Sequence, residues 1–237
     1  MATSSARPGT ECDSVPEELG QHVHLPAGLG PAPFGILARM AITVRPLTIE
    51  TFGDLDGLFT RDQGNDASWC WCMHFRTSGS DSLGRGHGEE NRTRLEALTA
   101  ASNLAPGLVA YDGDDAVGWV SLGPRADYPR VDRSRLMAPV DDVPAWVIAC
   151  FVVAANRRGQ GIGHLLLEAA IGFARSNGAV AIEGYPRVES DGRVSTPYTH
   201  AGTPALFERA GFFTVAERRT APGTTPRLVM RLELATA

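Results

Sequence analysis

The 237-residue sequence is poor in cysteine and has no long apolar run. Its four cysteines are Cys12, Cys70, Cys72 and Cys150. Two are nearly adjacent, one is close to the amino-terminal end and one lies in an apolar run, which is not a disulfide framework. A reducing, cytoplasmic compartment is therefore expected. No apolar stretch reaches the roughly 18 residues of a membrane span. The start has no basic region followed by an apolar one, so no signal peptide is expected. Positive charge is also in deficit: Lys and Arg total 22 against 27 Asp and Glu, a formal net charge of -5. This argues against a nucleic-acid partner, whose binding rests on basic residues neutralising phosphates. It leans towards a cationic substrate. There is no internal repeat, and no G-x-x-x-x-G-K-[ST] loop for a nucleoside triphosphate.

What is present is ordinary globular composition, 43% hydrophobic and 21% charged. Residues 1–39 are rich in Gly, Pro, Ser and Ala without apolar periodicity, and are expected to form a disordered extension. His22 and His24 fall there and read as solvated side chains. The segment from Met40 to 237 is expected to be one domain, and Met40 is itself a candidate start.

Ile42 to Leu47 alternates like a strand. A short helix with Ile49, Phe52, Leu55, Leu58 and Phe59 inward should follow, then a helix over Glu89–Ala101 with Leu95 and Leu98 inward. Two apolar runs, 107–111 and 116–122, flank a turn at Asp112-Gly113 and predict a hairpin. A long polar connection, 123–144, leads to Ala145–Val153, whose near-continuous apolarity suits a central strand covered on both faces. Strands are also expected at 179–182, 212–216 and 227–234. The fold class is α+β: a mixed, mostly antiparallel central sheet with flanking helices.

The informative stretch follows that central strand. Ala154-Ala-Asn-Arg-Arg-Gly-Gln-Gly-Ile-Gly163 is a polar, glycine-rich turn. The helix after it carries Ile162, Leu165, Leu166, Ala169, Ala170 and Phe173 with a 3.6-residue period, and ends at Asn177-Gly178. The first amides of a helix have no internal partner, and the macrodipole makes that end positive. Gly159, Gly161 and Gly163 remove side chains from the approach, and Arg157 and Arg158 add formal charge. Such a site takes an anion, best a pyrophosphate. It is not a dinucleotide fingerprint, because the third glycine of G-x-G-x-x-G is replaced by His164.

Arg158-Gly159-Gln160-Gly161-Ile162-Gly163 matches [RQ]-x-x-G-x-[GA] between a central strand and its helix. In this the chain resembles the GNAT superfamily of acyl-CoA-dependent N-acyltransferases, over about residues 42 to 234. The resemblance implies an N-acetyltransferase using acetyl-CoA as cosubstrate, with no metal. Main-chain amides from Arg158 to His164 would hold the CoA pyrophosphate. Phe151, Val152 and Val153 would pair with the pantetheine arm, and the next strand would splay away near Glu183 to leave a slot for the thioester. His200 stands where the family often has a polar CoA-facing residue. Phe207, in Thr203-Pro-Ala-Leu-Phe-Glu-Arg-Ala-Gly-Phe, stands where many members carry a tyrosine as the acid.

Amine acetylation needs a proton acceptor, donors for the oxyanion, and help for the departing thiolate. Base candidates are Glu183, Glu89, Glu90, Asp141, Asp142 and His200, with Glu183 first; Tyr185 and Tyr198 are the phenols for the acid role. Cys150 reads as a small core residue rather than a nucleophile. Ser68-Trp-Cys-Trp-Cys-Met-His-Phe-Arg76 lacks a fourth ligand and the usual spacing for zinc. Trp69, Trp71 and Phe75 suit an aromatic acceptor wall or plain core packing equally well, with Arg125, Tyr128 and Arg130 as an opposite wall. The expected partner is a small-molecule amine, with no nucleic acid and no membrane; a homodimer stays open. The alternatives are a non-catalytic acyl-CoA-binding module, motivated by Phe207, a protein amino-group acetyltransferase, and more remotely a dinucleotide oxidoreductase.

Overall fold

The computed structural model describes residues 42–60, 66–78, 87–188 and 200–234. The expected extension 1–39, with Cys12, His22 and His24, lies outside them, as does Tyr198. In chain order the elements are β1 (Thr43–Pro46), α1 (Phe52–Thr60), α2 (Gly88–Ala101), β2 (Gly107–Asp112), β3 (Asp115–Pro124), α3 (Pro129–Asp132), β4 (Trp146–Val153), α4 (Ile162–Ser176), β5 (Ala181–Gly184), α5 (Pro204–Arg209), β6 (Phe213–Arg218) and β7 (Arg227–Glu233). Seven strands form one sheet in the order β1-β2-β3-β4-β5-β7-β6. Every pairing is antiparallel except β4 with β5. This is the mixed sheet with flanking helices that the sequence predicts. Among the described residues no helix is long and apolar enough to cross a membrane.

Each element follows from local chemistry. The β2–β3 hairpin closes on Asp112 opposite Asp115, with Gly113 at φ 63°, a left-handed conformation that suits glycine in a two-residue turn. Thr203 caps α5 by accepting the Leu206 amide, and Pro204 takes the first helical position, where its missing N–H costs nothing. The connection after β3 is shorter than its polarity suggests. β3 runs on to Pro124, and a 3-10 turn at Arg125–Asp127 and α3 occupy much of the remainder.

Buried clusters cover both faces of the sheet. Trp146, Ile148 and Phe151 of β4 pack with Leu166 and Leu167 of α4, while Cys150 and Val152 pack with Phe52, Leu55, Leu58 and Phe59 of α1. Three expectations about helix faces shift. Helix α4 buries Ile162, Leu166, Leu167, Ala170, Ile171 and Ala174, whereas Leu165 is 37% exposed. The runs Leu165-Leu166-Leu167 and Ala169-Ala170-Ile171 offer two overlapping apolar stripes, and packing over Gly118, where an added Cβ would stand 2.8 Å from Ile162 and 3.0 Å from Leu166, selects one. Ile49 precedes α1 and is exposed. In α2 the buried positions are Asn91, Leu95 and Thr99, and Leu98 is only partly covered.

Candidate active site

The site begins where β4 and β5 part. They pair at Trp146 with Ile182, Val147 with Glu183 and Ile148 with Gly184, and there the pairing ends. On the other edge of β4 the register to β3 slips at the same place: Leu122 faces Ile148 but Ser121 faces Cys150, leaving Ala149 as an extra residue. Such a bulge bends the strand that carries it. The bend falls where β5 lets go, and beyond it the fork opens. Phe151 and Val153, on the expected pantetheine rail, have their carbonyls met by side chains rather than by a strand. His200 Nδ1 lies 3.1 Å from the Phe151 oxygen, and Arg158 Nε donates to the Val153 oxygen at 3.3 Å. Val152 between them points its side chain into the core under α1.

The glycine turn leads from the tip of β4 to the mouth of α4. Gly159 and Gly161 have φ of 76° and 84°, so a side chain at either is strained, and a Cβ at Gly159, Gly161 or Gly163 meets open space. Among the described residues no acceptor meets the main-chain N–H of Gly159, Gln160, Gly161, Ile162 or Gly163; the first amides with internal partners are His164 and Leu165, both to the Gly161 oxygen. Five adjacent amides at the positive end of a fifteen-residue helix are thus left without an internal acceptor, an arrangement that could hold an anion such as a diphosphate. The two arginines divide the work. Arg158 is exposed at the turn, whereas Arg157 pairs with Asp112 of the hairpin at 2.7 Å and is committed there. The imidazole of His164 faces Glu168 at 3.2 Å.

Glu183 lies inside the sheet edge, fully buried. Its Oε1 accepts from Arg231 Nε and Nη2 at 3.0 and 2.7 Å. Its Oε2 accepts from the Tyr185 hydroxyl at 2.9 Å and from Arg125. Arg125 also donates to the Tyr185 oxygen at 2.7 Å, and Arg231 spans both carboxylate oxygens of Asp141 at 2.7 and 2.8 Å. Burial first, and then the adjacent Glu183 charge, push the Tyr185 phenol well up. This geometry does not fit the expected proton-acceptor role for Glu183, since every lone pair that could take a proton already holds a donor. Arg125, expected as an acceptor wall, is instead a clamp in the same network.

The aromatic segment separates into two parts. Trp71 is core, 2% exposed, stacked on Phe59 with centroids 4.8 Å apart and planes 12° apart. It and Cys72 have φ of 47° and 53°, so a tight left-handed kink drives both side chains inward. The expected acceptor-wall role therefore fails for Trp71, and it fails for Tyr128, which is fully buried with its hydroxyl on Ser121 and Arg76 and its pKa pushed up to about 12 by burial. Trp69 is half-buried, edge-on to His74. Phe75, with His74, Arg130, Arg133, Ser134 and Met137, borders an open cavity of about 340 Å³. Sequence reasoning named Phe75 and Arg130 and read His74 only within the segment weighed for zinc; it missed Arg133, Ser134 and Met137, which carry no signal of their own in the polar connection.

Phe207 is fully buried and packs edge-on to Phe151 and Phe212 at the floor of the fork. Cys70, Cys72 and Cys150 are free, buried thiols. A hydrogen bond with Cys72, then burial, push the Cys70 thiol well up; burial chiefly pushes up Cys72, whose sulfur also accepts from Trp119 Nε1 at 3.3 Å. Protonated, buried thiols are poor nucleophiles. No group of three or more His, Cys, Asp or Glu able to hold a metal occurs among the described residues.

Residues 72–194 match the model of the Acetyltransferase (GNAT) family. None of the curated proteins matches the chain. Several solved structures resemble it. A Corynebacterium glutamicum protein described as histone acetyltransferase HPA2 and related acetyltransferase is 23% identical, with a TM-score of 0.47 over 84% of this chain and 99% of that one. Salmonella typhimurium yncA with its cofactor acetyl-CoA is 18% identical, TM-score 0.48, over 83% and 96%. The ribosomal-protein-S18-alanine N-acetyltransferase of Escherichia coli is 14% identical, TM-score 0.47, over 83% and 96%. These similarities carry no argument about what this chain acts on.

Proposed function

The chain belongs to the acetyltransferase (GNAT) family, and we propose that it moves an acetyl group from acetyl-CoA directly to a primary amine of a small molecule. The observation that carries this reading is the row of unpartnered amides at Gly159 to Gly163 beside the fork between β4 and β5. A diphosphate fits the amides, with Arg158 beside it and no glycine Cβ in the way. A pantetheine arm then lies along the edge of β4 that β5 has left, displacing His200 and Arg158 from the Phe151 and Val153 carbonyls. The thioester comes to rest near the bulge at Ala149.

There an acceptor that has lost its ammonium proton to solvent attacks the thioester carbon with its nitrogen lone pair, the tetrahedral oxyanion collapses as the C–S bond breaks, and the remaining surplus proton on nitrogen passes through solvent to the departing CoA thiolate. Direct transfer agrees with the raised, buried thiols of Cys70 and Cys72, which offer no acyl-accepting nucleophile. Glu183 is a positioning residue in this scheme: through Arg125 and Arg231 it ties β5 to β7 and to the 125–141 segment, and so holds one arm of the fork. Phe207 supplies no proton, so the thiolate leaves without help from that position. Cys70, Cys72 and Cys150, free thiols among the described residues, suit a reducing compartment, and we place the enzyme, with its domain at 40–237, in the cytoplasm.

The test is thiol release from acetyl-CoA across a panel of small amines, together with calorimetry of CoA binding. Acceptor-dependent release by the wild type, and loss of CoA binding in Gly161→Asp, are expected. A Gly161→Asp protein that binds CoA normally would overturn the diphosphate cradle. Tight CoA binding with no turnover on any amine would favour an acyl-CoA-binding module, the reading that Phe207 supports.

A further inference from the structure

Two side chains hold the edge of β4 that faces the fork, and the ladder to β3 fixes which groups lie there. The Ala154 amide donates to the Val117 oxygen at 3.0 Å, and Val152 stands opposite Trp119. In an antiparallel pair alternate residues turn their N–H and C=O groups to the partner strand. Val152 and Ala154 therefore face β3, while Phe151 and Val153 turn their carbonyls to the other edge. β5 pairs with β4 as far as Gly184, opposite Ile148, so no strand among the described residues meets those two carbonyls. His200 Nδ1 meets the first at 3.1 Å and Arg158 Nε the second at 3.3 Å.

The two contacts differ in kind. Arg158 belongs to the glycine turn, next to the amides of Gly159 to Gly163. A diphosphate on those amides gives its guanidinium a new partner once it lets go of Val153. His200 comes from the far side of the fork, just ahead of α5, and the backbone there fixes its place. Gly202 has a left-handed φ of 76°, and an added Cβ would stand 2.8 Å from the Phe207 ring and 3.4 Å from the Phe151 ring. That close approach, followed by the Thr203 cap of α5, sets the His200 ring over the Phe151 carbonyl. A carbonyl oxygen only accepts, so His200 carries a hydrogen on Nδ1. This is the one side-chain hydrogen bond that His200 makes among the described residues. It has no second partner in the fork to turn to when the carbonyl is taken from it.

Resting on the acetyltransferase reading above, we propose that His200 is an internal stand-in for the pantetheine arm: it holds the Phe151 carbonyl until the coenzyme takes its place, and so lowers the affinity for CoA. Seating the arm is then an exchange of one hydrogen bond for another. A ligand that binds only when the ring has left has its affinity reduced by the fraction of molecules in which the carbonyl is open. The role is opposite in sign to the CoA contact that the family resemblance implies for this position. His200 and Arg158 thus act in opposite directions, although both hold a carbonyl of the same edge.

The experiment is calorimetry of CoA and of ADP binding to the full-length wild type, His200→Ala, His200→Asn and Arg158→Gln. Asparagine keeps an amide donor close to the place of the imidazole Nδ1, whereas alanine removes the donor. We expect His200→Ala to bind CoA about three- to tenfold more tightly, on the scale of one net hydrogen bond, and His200→Asn to stay near the wild type. ADP carries the diphosphate without the arm, so the His200 variants should bind it as the wild type does. Weaker CoA binding by His200→Ala would make His200 a contact of the bound coenzyme and overturn the proposal. Unchanged binding, or a gain for ADP as large as that for CoA, would overturn it too. Arg158→Gln checks the coenzyme reading separately, since it should weaken both ligands. If it does so while His200→Ala brings no gain, the stand-in falls and the reading remains. If neither the wild type nor His200→Ala binds CoA, both fall. A second measurement needs no variant: the hydrogen-bonded Nδ1 proton of His200, seen by NMR in the wild type, should be lost to exchange with water at saturating CoA. A signal that persists would show the ring still on the Phe151 carbonyl and end the proposal.

Discussion

Phe207 lies directly over Gly184. A Cβ added at Gly184 would stand 2.3 Å from two carbons of the Phe207 ring. Gly184 is the last residue of β5 paired to β4, so this contact sits at the floor of the fork. Phe207 therefore acts there as a packing ring, and the strand beneath it is bare to make room.

Gly184→Ala should overfill that contact. The neighbours are an aromatic ring fixed by Phe151 and Phe212, not the end of a flexible chain. Overpacking of this kind costs about 1–3 kcal/mol. Chemical denaturation should show the loss, and kcat should fall as the fork shifts. An alanine protein of wild-type stability would mean that Phe207 moves freely.

Trp71→Ala separates the wall from the core. A large aromatic stacked on Phe59 and buried under α1 should cost about 3–5 kcal/mol when truncated. The measurement is the unfolding midpoint alongside acceptor KM. Loss of stability with KM preserved at permissive temperature fits the core; a raised KM in a protein of normal stability would return Trp71 to the acceptor site.

Gly161→Ala tests the turn without adding charge. At φ 84° an L-residue is disfavoured by about 1–2 kcal/mol, while the methyl itself meets open space. The expected outcome is a higher KM for acetyl-CoA with little change in acceptor KM. An effect confined to the acceptor would contradict the cradle.

Asp141 gives the pH dependence. Its hydrogen bonds from Arg231 hold the carboxyl below the usual carboxylate range. A group whose pKa is lower folded than unfolded contributes stability that is fully present above the unfolded value, about 3.9, and is lost as pH falls through the folded value. The stability difference between wild type and Asp141→Asn should therefore be constant above about pH 5 and shrink below about pH 4. Acid titration of unfolding free energy reads it, and a difference that grows as pH falls would show that the Arg231 pair is not its source.

Much of the fold was legible because its causes are local. The turn at Gly113, the cap at Thr203 and the stop of α4 at Asn177-Gly178 are each demanded by a few adjacent residues. The order of strands and helices followed from apolar runs and their breaks. The face of α4 was not legible, because two stripes overlap in Leu165-Leu166-Leu167 and only the sheet beneath, at Gly118, chooses between them.

By itself the sequence determined the glycine-rich turn before α4 and the architecture around it, since backbone angles and periodicity act over a few residues. Tertiary structure alone decided the fate of the charges and rings. Arg231 reaches Asp141 across 90 positions, and Arg125 reaches Glu183 across 58. Trp71 turned into the core and Phe207 came to rest on Gly184. Such pairings depend on which groups the sheet brings together and how far water is excluded from them, and neither is written in the spacing of residues along the chain.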